Sequence, residues 1–215
     1  MEKVKVKEWS LGYIIEHWTR VVSIGVLIFT GLYIHWPFMA GGPESFLMAW
    51  MRFFHFVASY ALVLGLVVRI YMAFRSTFDS DWRDFGIIRN LKNIPDVLGY
   101  YLFIKGTHKE YRKYNPLQAL SYLAIGFMII FTALTGGAMY HGRVFGLIAA
   151  PDSFQWVNMF LGGESITRTL HYFAMWFFII FVGIHVYMAL MITLVNKDST
   201  MSSIFTGYKM KQQNK

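Results

Sequence analysis

Residues 168–195 read RTLHYFAMWFFIIFVGIHVYMALMITLV, and after Arg168 they contain no charged side chain. A run of 28 residues is long enough to cross the hydrocarbon core of a bilayer with some tilt. Two histidines interrupt it, His171 and His185, fourteen residues apart. At about 1.5 Å per residue they stand roughly 21 Å apart along a helix. Fourteen steps of about 100° fall only about 40° short of four full turns, so both imidazoles face the same side. An ionisable group inside a span is costly and marks a functional site by default. Two of them on one face, one near each leaflet, suggest two stacked axial-ligand positions. The competing reading is a pair of histidines hydrogen-bonded inside a helix bundle, and the remainder of the chain has to decide.

The chain has 215 residues, enough for one domain, and 56% of them are hydrophobic against 15% charged. That balance excludes a disordered chain and argues against a soluble globule. The net charge of +8 could suggest nucleic acid, but the lysines and arginines lie between apolar runs, so a membrane surface is the expected partner and nucleic acid is not. There is no cysteine, which excludes disulfides, thiolate-bound iron–sulfur clusters and thioether-linked haem on this chain. The start, MEKVKVKEWS, is basic but leads into a long span with no small-residue cleavage site, and is expected to be retained.

Four spans are expected, at about 11–37, 46–75, 116–140 and 168–195: an all-α membrane protein built as a four-helix bundle. Ser10 and Ser45 can cap the first two. The first span carries Glu16, His17 and Arg20 just inside its start and His35 at its far end, where the aromatic belt is expected. The second carries His55 in its first half and Arg69 fourteen residues later. An arginine at that depth either snorkels or pairs with an anion such as a haem propionate. Between spans two and three lies a basic stretch, 76–115, in which Ile87, Ile88, Leu91, Ile94, Leu98, Tyr101 and Leu102 recur at helical spacing. This predicts an amphipathic helix on an anionic membrane surface, with Pro95 as a possible break. His108 falls in that stretch and reads as a solvated residue. The third span opens at Asn115-Pro116, an N-cap followed by proline in the first turn, and its Gly126, Gly136 and Gly137 allow close approach of a helix or a flat ligand. His141 lies at its exit, and the segment 142–167 reads as a loop, sparse in charge and rich in aromatics, that docks a partner or lies along the interface.

Fifteen of the twenty Lys and Arg fall in residues 1–16, 75–115 and the tail from 196. The positive-inside rule therefore puts both termini and the large loop in the cytoplasm. With four spans threaded that way, His17 and His185 share the cytoplasmic half, and His55 and His171 the outer half. Four histidines sorting into two pairs at matched depth favour two bis-histidine haem b groups over satisfied core histidines. Gly25, Gly65 and Gly183 would give the macrocycles room, although glycine is common in membrane helices anyway, and Arg20 and Arg69 are candidate propionate partners on the cytoplasmic haem. Two haems, one per leaflet, form an electron path across the membrane. With no nucleotide-binding glycine motif in the chain, the expected donor is a partner subunit and the expected acceptor a diffusible carrier such as quinone.

The segments EHWTR, MRFFHF, VVRIYMAF, NPLQALSY, TGGAMY, HVYMAL and DSTMSSIFTGYK resemble the b-type cytochrome subunit of membrane-bound nickel–iron hydrogenases, and more distantly the gamma subunit of formate dehydrogenase. The resemblance covers nearly the whole chain. It implies haem ligands at His17, His55, His171 and His185, the four positions that depth pairing selects. It also implies partners: a nickel–iron large subunit and an iron–sulfur small subunit with its own C-terminal membrane helix, feeding electrons from hydrogen to menaquinone or ubiquinone at the bacterial inner membrane. By the same resemblance a quinone site falls near the inner haem, with Asn115, Gln118 and Glu16 as candidates, although Asn115 equally suits an N-cap. The alternatives are the same subunit serving a formate dehydrogenase or another periplasmic oxidoreductase, and an anchor that carries no electrons. A transporter is disfavoured by four spans without an internal repeat.

Overall fold

The structure is a computed structural model and describes residues 3–39, 46–76, 78–79, 91–105, 114–144, 146–195 and 199–212. Four helices are long and apolar enough to cross a membrane: α1 (Leu11–His35), α2 (Leu47–Arg75), α4 (Pro116–Ala138) and α6 (Glu164–Val195). Their bounds match the four expected spans to within two residues except at the start of α6. α6 begins earlier than expected, at Glu164, where the Arg168 guanidinium reaches back to the Glu164 carboxylate at 2.7 Å. The expected cap at Ser45, the first half of the amphipathic stretch (Ile87, Ile88) and His108 lie outside the described residues.

The chain divides into two compact units. One comprises Thr19–Leu66 and Ile125–Phe181. In it all four long helices meet: Ile24 of α1, Leu62 of α2, Ile125 and Ile129 of α4 and Phe178 of α6 form a single buried cluster. This unit is a four-helix bundle. Inside a bilayer its cohesion comes from packing and interhelical hydrogen bonds and not from expelling water. After α4 a short hairpin, β2 (Arg143–Val144) with β3 (Ile148–Ala149), leads into α5 (Ala150–Leu161). The expected loop is thus largely a helix. Pro151 occupies its first turn and Gly162, at φ 93°, ends it in the left-handed conformation that glycine adopts without strain. Asn158 donates from Nδ2 to the carbonyl of Ala138 at 2.8 Å, satisfying a terminal carbonyl of α4. Trp156, Met159 and Phe160 remain exposed.

The other unit comprises Met1–Trp18, Val67–Ala124 and Val182–Lys215. Its α3 (Ile94–Tyr101) starts at the proline that was a possible break: Pro95 sits in the first turn, where its missing N–H costs nothing. Val97, Tyr100 and Tyr101 pack on Met191 of α6, while Leu98 and Leu102 stay exposed. At the ends of the chain, β1 (Lys3–Lys7) pairs antiparallel with β4 (Tyr208–Gln212), which follows α7 (Thr200–Thr206). Gly207 closes α7 at φ 80°, and its carbonyl accepts from the backbone N–H of Glu8 at 2.8 Å and of Trp9 at 3.2 Å. Ser10 caps α1 as expected, its Oγ accepting from the Tyr13 N–H at 3.2 Å. Its own N–H and hydroxyl donate to the buried Asp79 carboxylate at 2.9 and 2.8 Å.

Candidate functional site

In the bundle unit His55 of α2 faces His171 of α6, with ring centres 6.4 Å apart. Each ring is held by a threonine from a neighbouring helix. Thr30 Oγ1 of α1 lies 2.9 Å from His55 Nδ1, and Thr135 Oγ1 of α4 lies 2.8 Å from His171 Nδ1. Both hydroxyls are buried, and each also donates to the carbonyl four residues back, Thr30 to Val26 at 2.7 Å and Thr135 to Phe131 at 2.8 Å. The residue after each threonine is a glycine. A Cβ on Gly31 would meet His55 Cε1 at 3.5 Å, and one on Gly136 would meet His171 Cε1 at 3.3 Å. Sequence reasoning selected both histidines and Gly136, but missed Thr30, Thr135 and the role of Gly31. Gly137 is occupied differently: the Phe154 ring packs where its Cβ would be, at 3.0 Å.

In the other unit His17 of α1 faces His185 of α6 at 6.5 Å between ring centres. Glu16 beside it is buried. Arg69 lies with its guanidinium carbon 5.5 Å from the centre of the Tyr13 ring, and the Tyr13 hydroxyl shares a 2.6 Å hydrogen bond with that of Tyr114. Asn115 and Gln118 form a reciprocal cap at the start of α4. The Gln118 N–H donates to Asn115 Oδ1 at 2.8 Å, and the Asn115 N–H donates to Gln118 Oε1 at 3.0 Å. Asn115 Nδ2 also donates to the Tyr101 hydroxyl at 3.1 Å. Of the remaining expected residues, Arg20 lies on α1 in the bundle unit. His35 stacks on Tyr172 at 3.9 Å, and the exposed His141 has Nε2 3.8 Å from Glu164.

The two spacings have a chemical meaning. A metal–imidazole bond is about 2.0–2.1 Å and a ring nitrogen lies roughly 1.2 Å from its ring centre, so two imidazoles on opposite sides of one metal stand about 6.4 Å apart. Each pair could offer a metal two imidazole nitrogens, and among the described residues no group of three or more His, Cys, Asp or Glu could hold a metal ion. Two nitrogen donors with the remaining positions supplied by a macrocycle is the donor set of a bis-histidine haem. A Cβ on Gly25 or Gly183 would meet nothing within 4 Å, so packing within the chain does not require glycine at either position.

Fold and site together define a multi-pass helical membrane protein with two opposed histidine pairs. The chain belongs to the prokaryotic cytochrome b561 family, whose pattern matches residues 8–207. It is 31% identical over 223 residues to a probable Ni/Fe-hydrogenase B-type cytochrome subunit of Azotobacter vinelandii, covering 96% of this chain and 91% of that one. It is 32% identical over 209 residues to a protein of the same description from Cupriavidus necator, covering 90% and 82%. The probable Ni/Fe-hydrogenase 1 B-type cytochrome subunit of Escherichia coli K12 is 29% identical over 205 residues, covering 90% and 86%.

Proposed function

We propose that this chain is the di-haem cytochrome b subunit of a membrane-bound nickel–iron hydrogenase, anchoring the enzyme and passing its electrons to quinone. One observation carries the reading: two histidine pairs whose ring centres stand 6.5 and 6.4 Å apart, the spacing of two imidazoles on one metal. His17 with His185 and His55 with His171 are the proposed axial ligands. Haem b would supply reversible one-electron chemistry at each pair. His171 and His185 lie fourteen residues apart in the sequence, a spacing that suits one haem near each leaflet. Relatives of similar length named as probable Ni/Fe-hydrogenase B-type cytochrome subunits support hydrogenase subunits as partners. The partners proposed are an iron–sulfur small subunit with its own membrane helix and the nickel–iron large subunit. The basic termini support a bacterial inner-membrane orientation with both ends cytoplasmic.

Arg20 and Arg69 remain the proposed propionate partners. Quinone reduction is assigned to the unit that holds His17 and His185, since Glu16, Asn115 and Gln118 belong to it as well. There the cap between Asn115 and Gln118 gives both amides a structural task besides any contact with quinone. Glu16, a buried carboxyl beside a proposed ligand, is the proposed proton donor.

The test is the reduced-minus-oxidised optical spectrum of the purified complex with haem quantified per cytochrome chain. Two low-spin b haems are expected, falling to one in His55→Ala and in His17→Ala. An anchor that carries no electrons predicts no haem and unchanged hydrogen-to-quinone activity in both variants.

A further inference from the structure

The two threonines that touch the bundle-unit histidines do so in the same way, on different helices. Thr30 is 2% exposed and Thr135 fully buried, so neither hydroxyl is served by solvent. A hydroxyl has one proton to donate. In both residues a short bond to the carbonyl four residues back takes that proton, at 2.7 Å to Val26 and 2.8 Å to Phe131. What each hydroxyl presents to the imidazole is therefore a lone pair, and the ring atom beside it, Nδ1 at 2.9 Å in His55 and 2.8 Å in His171, must be the donor. A neutral imidazole carries one N–H. With that proton on Nδ1, Nε2 of both rings is left bare, which is the form a metal requires of a ligand. The glycine after each threonine lies against Cε1, the ring atom next to Nδ1. Thr30 and Thr135 thus act alike: each hydroxyl fixes the tautomer of its histidine, and the glycine that follows lies against the ring, closely at Gly136 and at ordinary contact distance at Gly31.

We infer that Thr30 and Thr135 are positioning residues that hold His55 and His171 with the proton on Nδ1, and through those bonds lower the reduction potential of the haem bound between them. The tautomer follows from the hydrogen bonds themselves, whereas the effect on potential rests on the haem reading above. An acceptor on Nδ1–H makes the imidazole a stronger electron donor, which favours the oxidised metal. Removing the acceptor raises the potential.

The experiment is a redox titration of the two b haems in the purified complex carrying Thr30→Val, Thr135→Val or both, with Thr→Ser at each position as the conservative partner. Valine keeps the branched shape and deletes the acceptor. The haem of the His55–His171 pair is expected to move to higher potential in each valine variant and further in the double variant. The serine variants should stay near wild type, and the haem of the His17–His185 pair should not move. Full haem content with both potentials unmoved in the valine variants overturns the inference. Should valine cost the haem, retention in the serine variant supports a role for the hydroxyl, and loss in both overturns it in favour of packing alone. A second measurement needs no haem: 15N shifts of labelled histidine in the whole chain in detergent. It is expected to show protonated Nδ1 at His55 and His171, with a shift toward protonated Nε2 in the valine variants. Protonated Nε2 in the wild type overturns the inference. A wild-type chain that holds no haem but shows protonated Nδ1 sinks the cytochrome reading and leaves the tautomer assignment standing.

Discussion

A methyl group on Gly136 would stand 3.3 Å from Cε1 of His171, tighter than ordinary contact, whereas one on Gly31 would stand 3.5 Å from Cε1 of His55. The difference is small but falls across the limit at which a ring has to yield. Alanine is also the better helix former by about 1 kcal/mol, so a loss in either variant cannot be charged to the helix. If the His55–His171 pair holds haem as proposed, Gly136→Ala is therefore expected to lower its occupancy severalfold, and Gly31→Ala to leave it nearly full, as read by haem per chain and the reduced α-band. Equal occupancy in the two variants would show that the His171 ring can step aside. The histidines themselves were legible in the sequence because an ionisable residue stands out in an apolar run. Thr30 and Thr135 were not. A threonine in a membrane helix satisfies its hydroxyl on its own backbone, so its presence carries no cost that would announce a role. The one available signal was a Thr-Gly pair occurring in two spans, and only the tertiary fold sets each pair against an imidazole.

Among the elements, α3 joins the start of α4 to the second half of α6 through one residue, Tyr101. The Tyr101 hydroxyl accepts from Asn115 Nδ2, and its backbone carbonyl accepts from the Tyr187 hydroxyl at 3.1 Å. Burial pushes the Tyr101 phenol up to about 12, although the Asn115 amide pulls the other way. In the unfolded chain a tyrosine ionises near pH 10. The neutral phenol is thus favoured by the fold: its full contribution is present below about pH 10 and is lost as pH rises toward 12, because the unfolded chain releases its proton first. Tyr101→Phe should make the alkaline fall in thermal stability shallower. At neutral pH the same change leaves a buried amide donor unpaired, at a cost of about 1–3 kcal/mol. Melting of wild type and variant in detergent at pH 7, 10 and 11 measures both effects, and parallel curves would remove the claim. The long helices were readable from hydropathy, and the α4 cap from Asn-Pro. α5 was not, since twelve residues are too few for a span signal and its apolar positions resemble an interfacial loop, yet Pro151 at its start and Gly162 after its end were present to mark it.

For the whole molecule the pairing of β1 with β4 brings the two ends of the chain together, with Lys3 opposite Gln212 and Lys7 opposite Tyr208. Ends joined in one ribbon belong on one side of a membrane, which an even number of spans allows and an odd number forbids. The distribution of basic residues anticipated that shared side but not the ribbon, because KVKVK and YKMKQ are short, rich in lysine and far apart in sequence, and neither carries a strong apolar face to fix the register. The register makes a direct test possible. Val6 lies opposite Lys209, and residues opposite one another in an antiparallel pair have Cα atoms about 4.5–5.5 Å apart, within the span of a disulfide. The chain contains no cysteine, so a Val6→Cys, Lys209→Cys pair has no competitor. Mild oxidation should close an intramolecular bridge, seen as a mobility shift reversed by reductant. Failure to close would mean that the ends are not paired in the membrane. Each single variant then reports the side. A membrane-impermeant maleimide should label Lys209→Cys in inverted vesicles and spare it in right-side-out spheroplasts, with Val6→Cys behaving alike. The opposite labelling would turn the whole chain over, placing His17 and His185 in the outer half and quinone reduction on the periplasmic side. Opposite behaviour of the two variants would break the ribbon and with it the four-span topology.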